Sequence, residues 1–331
     1  MPEGRSGDRL KKPVEASLQT RILAVVVRYK TPVEDSATMG SLAATFDDHP
    51  EILNQVAVLL WDNSPSPLEH ARLPFAFDYQ HSPENIGVSG AYNSALRIAG
   101  ARGIPWLLLL DQDTSLPPDF LRVLLECSRS QEANPAVSAI VPFLFDEERP
   151  ISPIAIGYAG HRPVQPPFTG IYPRNVFAAN SGTLMRVSAL RDVGGYDERF
   201  WLDLSDVVAF HRLWTAGYRT FIAGDLHVQH KVTNNDYDGS MSPQRYENFI
   251  SAEGAYWDLY RTRTQNLIQT ARLFARTLRQ YRRYRNKVFA KITLIHFLKR
   301  IISFRDARLS SWRKRSLERN IPRIADGKVL D

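Results

Sequence analysis

Two aspartates one residue apart, Asp111 and Asp113, close the apolar run that opens "WLLLLDQDTSLPPDF", residues 106–120. Carboxylates at this spacing suit a hard divalent cation, Mg2+ or Mn2+. Without one, two carboxylates at the end of a buried strand repel each other and lose hydration, a cost of several kcal/mol. The alternative is that they cap a helix opening at Thr114–Pro118, because Asp-x-Asp by itself is a common pattern.

A second set of acids lies in "GGYDERFWLDLSDVVAFHRLWTAGY" (194–218), where Asp197, Glu198, Asp203 and Asp206 stand near Phe200 and Trp201. A carboxylate against apolar rings has its pKa raised toward useful base strength. Helix capping by Asp206, worth about 1 kcal/mol, is the competing reading. In "SPENIGVSGAYNSAL" (82–96), Gly87 and Gly90 precede a helix. A helix start of this kind suits a phosphate, and it equally suits a plain strand-to-helix turn. The Gly-Lys-Ser/Thr of a P-loop is absent. His227 and His230 are too few for a zinc site without further ligands. No Ser-His-Asp set or nucleophile elbow occurs, and Cys127 sits in a helical stretch without a His partner.

The elements that must hold these groups are legible as hydrophobic runs. Residues 21–28 ("RILAVVVR"), 55–61 ("QVAVLLW") and 106–110 ("WLLLL") read as strands buried on both faces. Weaker strand patterns lie at 75–80 and 136–145, and helical patterns at 34–48, 87–103 and 117–130. This alternation predicts βαβ units and an open parallel sheet covered by helices. Such sheets bind ligands at the carboxyl ends of their strands. Three of those ends carry polar clusters: Arg28-Tyr29-Lys30, Asp62-Asn63-Ser64 and Asp111-Gln112-Asp113. Beyond them, 146–175 reads as loop or hairpin, 176–187 as a strand, 205–218 as a helix, and "RTFIAG" and "LHVQH" as two short strands. From Gln244 onward the pattern is helical and basic.

The chain has 331 residues, 44% hydrophobic and 23% charged, ordinary for a globular protein of roughly two domains. A single cysteine excludes an intrachain disulfide and fits a reducing compartment. Residues 1–20 are polar and read as a loose tail rather than a signal peptide. The net charge of +7 is uneven: residues 261–331 hold 20 Lys/Arg against 4 Asp/Glu, so the body is acidic. A basic tail with Phe, Leu, Ile, Tyr and Trp interleaved predicts an interfacial helix on anionic lipid. The competing arrangement is a helical bundle packed on the body or joining two copies. An acidic body argues against nucleic acid as the partner.

Taken in order, the motifs resemble the inverting family 2 glycosyltransferases of GT-A fold, most of all the bacterial rhamnosyltransferases. The resemblance covers about residues 21–235 and rests on "VVVRYKTP", "WDNSPSP", "ENIGVSGAYNSAL", "LLLLDQDTSLPPDF" and "NSGTLMRVSALRDVGGYDERFWLD". It implies an α/β fold with a mostly parallel, Rossmann-like sheet flanked by helices. It also implies a GT-A catalytic domain at 21–243 and a basic helical region at 244–331. The implied activity is metal-dependent transfer of a sugar from a nucleotide diphosphate to a glycan or lipid-linked acceptor in cell-surface polysaccharide synthesis. The Gln112 flavour suggests dTDP-rhamnose, with a UDP-sugar as the alternative donor. Within the family, a degenerate non-catalytic relative is the other reading; outside it, a nucleic-acid binder using the basic tail.

Residue by residue, the resemblance puts Asp62 at the nucleobase near Arg28 and Tyr29. It puts Asn85, Gly87, Asn93, Asp111 and Gln112 along the nucleotide sugar. Asp113, with Asp111 and His230, falls to the Mg2+ or Mn2+ ion. Asp206 falls to the catalytic base, with Asp203 as the other candidate. Asn180, Ser181, Gly182 and Trp201 fall to the acceptor side. Two departures stand out: Arg28 and Lys30 replace the usual Thr and Asn, and Val208 stands where the family has a supporting acid. The implied location is cytoplasmic, at the inner face of the membrane through residues 261–319, with oligomerisation open to the C-terminal helices.

Overall fold

The computed structural model describes residues 20–67, 73–157, 160–230 and 241–319, and the short strand pairs at 324–325 and 328–329. The expected tail falls outside them, apart from residue 20. The apolar runs become the centre of the main sheet: β1 (Ile22–Arg28), β2 (Val56–Asp62) and β4 (Trp106–Asp111). β1 pairs in parallel with both neighbours, and Ile22, Leu23, Ala24, Val25 and Val26 are sealed from solvent. At roughly 25 cal/mol per Å² of apolar surface, this burial dominates the stability of the layer.

β3 (Asp78–His81) extends the sheet beyond β2. Helices α1 (Ala37–Asp48), α2 (Gly87–Ala101) and α3 (Phe120–Ser130) complete the crossovers. β5 (Val137–Asp146) and β6 (Arg149–Ser152) form a hairpin. β7 (Ile154–Ile156), β8 (His161–Pro163) and β10 (Val176–Phe177) make a small separate sheet, while β9 (Gly170–Ile171) joins the large one. β11 (Thr183–Arg186) inserts between β4 and β5 and runs antiparallel to both. The short helix α4 (Val187–Asp192) follows it, and α5 is Ser205–Thr215.

The two short strands expected after α5 are one strand, β12 (Arg219–Gln229), parallel to β5. The apparent break at Gly224 is a register irregularity between Ile222 and His227. It needs glycine, because a Cβ there would stand 2.5 Å from the Phe168 carbonyl oxygen. Among the described residues the main sheet has nine strands, in the path β3-β2-β1-β4-β11-β5-β12-β9 with β6 on β5. The parallel expectation holds for six of the nine strands, and β6, β9 and β11, antiparallel to their neighbours, make the sheet mixed.

The C-terminal region forms α6 (Pro243–Tyr260), α7 (Arg263–Arg283), α8 (Val288–Ile302) and α9 (Arg305–Arg319). These helices pack on the body: Ala252, Tyr256, Trp257, Leu309 and Trp312 form one cluster with Phe200, Val207 and Val208. Their interior is polar as well as apolar. Asp258 is 3% exposed and meets Arg300 at 3.0 Å and Arg308 at 2.8 Å, tying α6, α8 and α9 together. Glu253 accepts two 2.8 Å hydrogen bonds from Arg276 of α7. Part of the tail's positive charge therefore faces inward. Among the described residues, no helix is long and apolar enough to cross a membrane.

Candidate functional site

Register brings the polar strand ends together. Arg28 of β1 lies opposite Asp62 of β2, and Val27 lies opposite Asp111 of β4. A bridge between Ser115 and Gln229 draws the loop after Asp113 to the end of β12, beside His230. The result is a cavity of about 870 Å³. Its lining includes Arg28, Tyr29, Asn63, Asn85, Gly87, Asp111, Gln112, Asp113, Trp201, Asp206 and His230.

The aspartate turn is held from α1. Ser36 caps that helix and donates to the Gln112 carbonyl oxygen at 2.7 Å, while Thr38 donates to the carbonyl oxygens of Asp111 and Thr114. Gln112 accepts from the Tyr29 amide through its side chain at 2.8 Å, so it braces the β1 turn. Asp111 accepts from Ser181 and, at 3.3 Å, from the Tyr92 hydroxyl. Burial pushes the Asp111 carboxyl up, Ser181 pulls it down, and the neighbouring Asp113 charge raises it again. Neither aspartate caps α3, whose N-cap residue is Asp119.

Asp206 sits in the first turn of α5 and accepts from the Val207 amide at 2.7 Å. Burial, with the Asp111 charge as a lesser contribution, pushes its carboxyl up to about 6. The N-cap residue of α5 is Leu204, so Asp206 is not the cap. Asp203 is an ion-pair partner of Arg245 on α6. Val208 is wholly buried among Tyr256, Trp257 and Trp312, which explains why no acid stands there.

Several expected site residues serve as struts. Asp62 is 0% exposed and does not line the cavity. It accepts from Arg28 at 2.9 Å, the Tyr79 hydroxyl at 2.8 Å and the Ser64 amide at 2.9 Å. It thereby aims Arg28. Asn93 donates to the Tyr196 carbonyl at 3.0 Å and Glu198 at 2.8 Å, away from Asp111. Gly182 (φ 79°) turns the chain against Phe120 and Pro142 and lines neither large cavity.

The expected phosphate site at the start of α2 is also closed. The Val88 amide donates to the Trp201 carbonyl at 3.0 Å and the Ser89 amide shares that oxygen at 3.5 Å. Trp201 itself donates to the Asn85 carbonyl at 3.0 Å. A Cβ on Gly87 would stand 2.4 Å from the Trp201 oxygen, so this glycine (φ +71°) permits the two segments to meet.

A second cavity of about 740 Å³ shares Asp111, Asp206 and His230 with the first and runs toward α6 and α7. Asn180 and Ser181 line it. Its Arg245 and His161 carried no local signal in the sequence; Ser36 did, as an N-cap before a helical run. His227 packs on Phe145 at 4.9 Å between ring centroids and makes no pair with His230.

Residues 61–194 match the model for glycosyl transferase family 2. That stretch contains Asp62, Asn85, Gly87, Asp111 and Asp113, and stops short of Asp206 and His230. The structure of GalNAc-T7 with UDP, GalNAc and Mn2+ aligns over 93% of this chain and 62% of that one, at 13% identity and a TM-score of 0.50. Two structures of S. aureus TarS residues 1–349 are also similar. The first covers 93% of this chain and 95% of TarS at 12% identity, TM-score 0.46. The second, a complex with UDP-GlcNAc, covers 91% and 89% at 14% identity, TM-score 0.49. No curated protein matches the sequence. The fold is GT-A, with a mixed, mostly parallel nine-stranded sheet between helices and a helical C-terminal region.

For a metal, the donor set is sparse. No group of three His, Cys, Asp or Glu side chains able to hold an ion occurs among the described residues. Mg2+ typically needs only one or two carboxylates, with substrate phosphates and water completing its shell. Exposed Asp113, Asp111 and His230, whose buried Nδ1 has no hydrogen-bond partner, fit that pattern.

Proposed function

We propose that the chain is an inverting glycosyltransferase that moves a sugar from a nucleoside diphosphate to an acceptor hydroxyl, with dTDP-rhamnose as donor. The observation that carries this reading is Asp206, a raised carboxyl where two cavities meet, in reach of the aspartate pair. The first cavity takes the nucleotide sugar, with exposed Tyr29 as a stacking surface for the base and Arg28 beside it. Asp113, with Asp111 and His230, holds Mg2+ or Mn2+. When bound, such an ion offsets the charge that develops on the leaving diphosphate.

Asp206 takes the proton of the acceptor hydroxyl as that oxygen attacks the anomeric carbon from the face opposite the diphosphate. The C–O bond to the diphosphate breaks, and the configuration inverts. Base assistance of this kind supplies roughly 10²–10⁴-fold. Asp206 is preferred to Asp203 as the base because Asp203 is paired with Arg245.

The acceptor is a glycan or lipid-linked glycan at the inner face of a membrane. Support comes from exposed Leu267, Phe274, Tyr281, Ile301, Ile302 and Phe304 on and beside α7 and α8, set among arginines and lysines. Anionic vesicles should co-sediment the chain and neutral ones should not; a stable dimer indifferent to vesicles would assign this face to a second copy. A calorimetric screen of dTDP-rhamnose against UDP-sugars with Mg2+ decides the donor. EDTA should abolish transfer and Mg2+ or Mn2+ restore it, whereas activity indifferent to chelator would remove the metal role from Asp113.

A further inference from the structure

The second cavity is polarised. Asp111, Asp206 and His161 stand where it meets the first cavity, and α6 and α7 wall the rest. Two of its charges are internally matched: Arg245 pairs with Asp203, and Arg276 grips Glu253 through both guanidinium nitrogens. Arg272 is different. It lines the cavity one helical turn from Arg276, and among the described residues no ion pair or hydrogen bond satisfies it. Its guanidinium lies beside Gly160, 3.6 Å from where a Cβ there would stand, next to His161 on the same wall.

The charges around His161 agree with that placement. The surrounding protein pushes its imidazole below the ordinary value, Arg261 and Arg272 push it further, and Glu253 opposes them. The wall thus offers an uncompensated guanidinium and a neutral imidazole side by side. A guanidinium presents a planar fork of donors matched to two oxygens of one phosphate. A neutral imidazole adds a donor at one nitrogen.

We infer that the second cavity recognises acceptors bearing a phosphate group, with Arg272 contacting the phosphate and His161 beside it. The inference rests on the acceptor role of this cavity in the glycosyl-transfer reading. It defines the acceptor as a phosphorylated glycan or a glycan linked through phosphate to a carrier. Its hydroxyl would lie toward Asp206 and its phosphate toward α7.

The test follows the His161 ring by NMR in the metal-free full-length chain, with inorganic phosphate replacing chloride at constant ionic strength. Phosphate should shift the His161 resonances saturably and raise its titration midpoint. Arg272→Gln should weaken that response at least tenfold, and Arg272→Lys, which keeps charge without the fork, should fall between. Unchanged His161 resonances, or an equal response in Arg272→Gln, overturn the inference. Glucose 1-phosphate and decyl phosphate then separate the sources. Tighter binding of the first assigns a glycan-borne phosphate, and of the second a carrier-borne one. Donor cleavage by the wild-type chain with Mg2+ is scored separately. Its absence would sink the glycosyl-transfer reading and leave phosphate binding at His161 standing on its own.

Discussion

The sheet edge and the helical cap treat buried carboxylates in opposite ways. In the cap, Asp258 faces two arginines and Glu253 a third, so each acid is matched where it is buried. At the sheet edge, Asp111 rests on hydroxyls of Ser181 and Tyr92, and Asp206 on one backbone amide. Burial raises both carboxyls there. The cap's acids hold helices together. The edge's acids keep unspent electrostatic energy that a proton or a cation can relieve, which is what chemistry requires.

Exchanging an acid in each region separates the two roles. Asp206→Asn should lower turnover by at least about 10²-fold at saturating donor while donor affinity persists. Near-normal turnover would strip Asp206 of the base role. In the cap, Asp258→Ala leaves Arg300 and Arg308 unmatched in a nearly closed interior and should cost about 3–5 kcal/mol in urea unfolding. A cost no larger than that of a surface substitution would make the cap's pairs ornamental.

Stability should also respond to pH at the sheet edge. The Asp206 carboxyl titrates at about 6 in the fold, above its ordinary range. Its contribution is therefore present at low pH and is lost as pH rises from about 4 through about 6, at most about 3 kcal/mol. Asp206→Asn removes that loss, so the variant should melt higher than wild type at pH 7; a lower melting point would contradict the buried, raised carboxyl. Turnover runs the other way and should fall roughly tenfold per unit below about pH 6, as the base protonates. The smallest effect belongs to the turn that opens α2. Gly87→Ala meets the Trp201 carbonyl and a positive φ, and should cost about 1–3 kcal/mol, read by thermal unfolding.

Much of the main sheet was legible in residue order. "AVVV", "VAVLL" and "LLLL" are unbroken because parallel central strands are covered on both faces. The polar residues that end them must gather at one edge, since parallel strands share a direction. Asp111, Asp113 and Arg28 follow from that local logic, whereas His230 came only from the family resemblance. The C-terminal helices were legible as helices, but their arginines could not be divided into buried and exposed.

What only the tertiary structure decided is which partner each polar group finds. Asp203 and Asp206 both remain candidates in sequence until Arg245, on a helix far along the chain, pairs with Asp203. Asn93 looks like a ligand until Tyr196 and Glu198 occupy its amide. The amides opening α2 look free until the Trp201 carbonyl arrives. Strand runs and turn glycines are settled by hydrogen bonds and burial within a few residues. These pairings are long-range and depend on packing that no local pattern encodes. Sequence by itself therefore determined where the polar groups gather, and the fold decided which of the two carboxylates, Asp203 or Asp206, is left without a cationic partner.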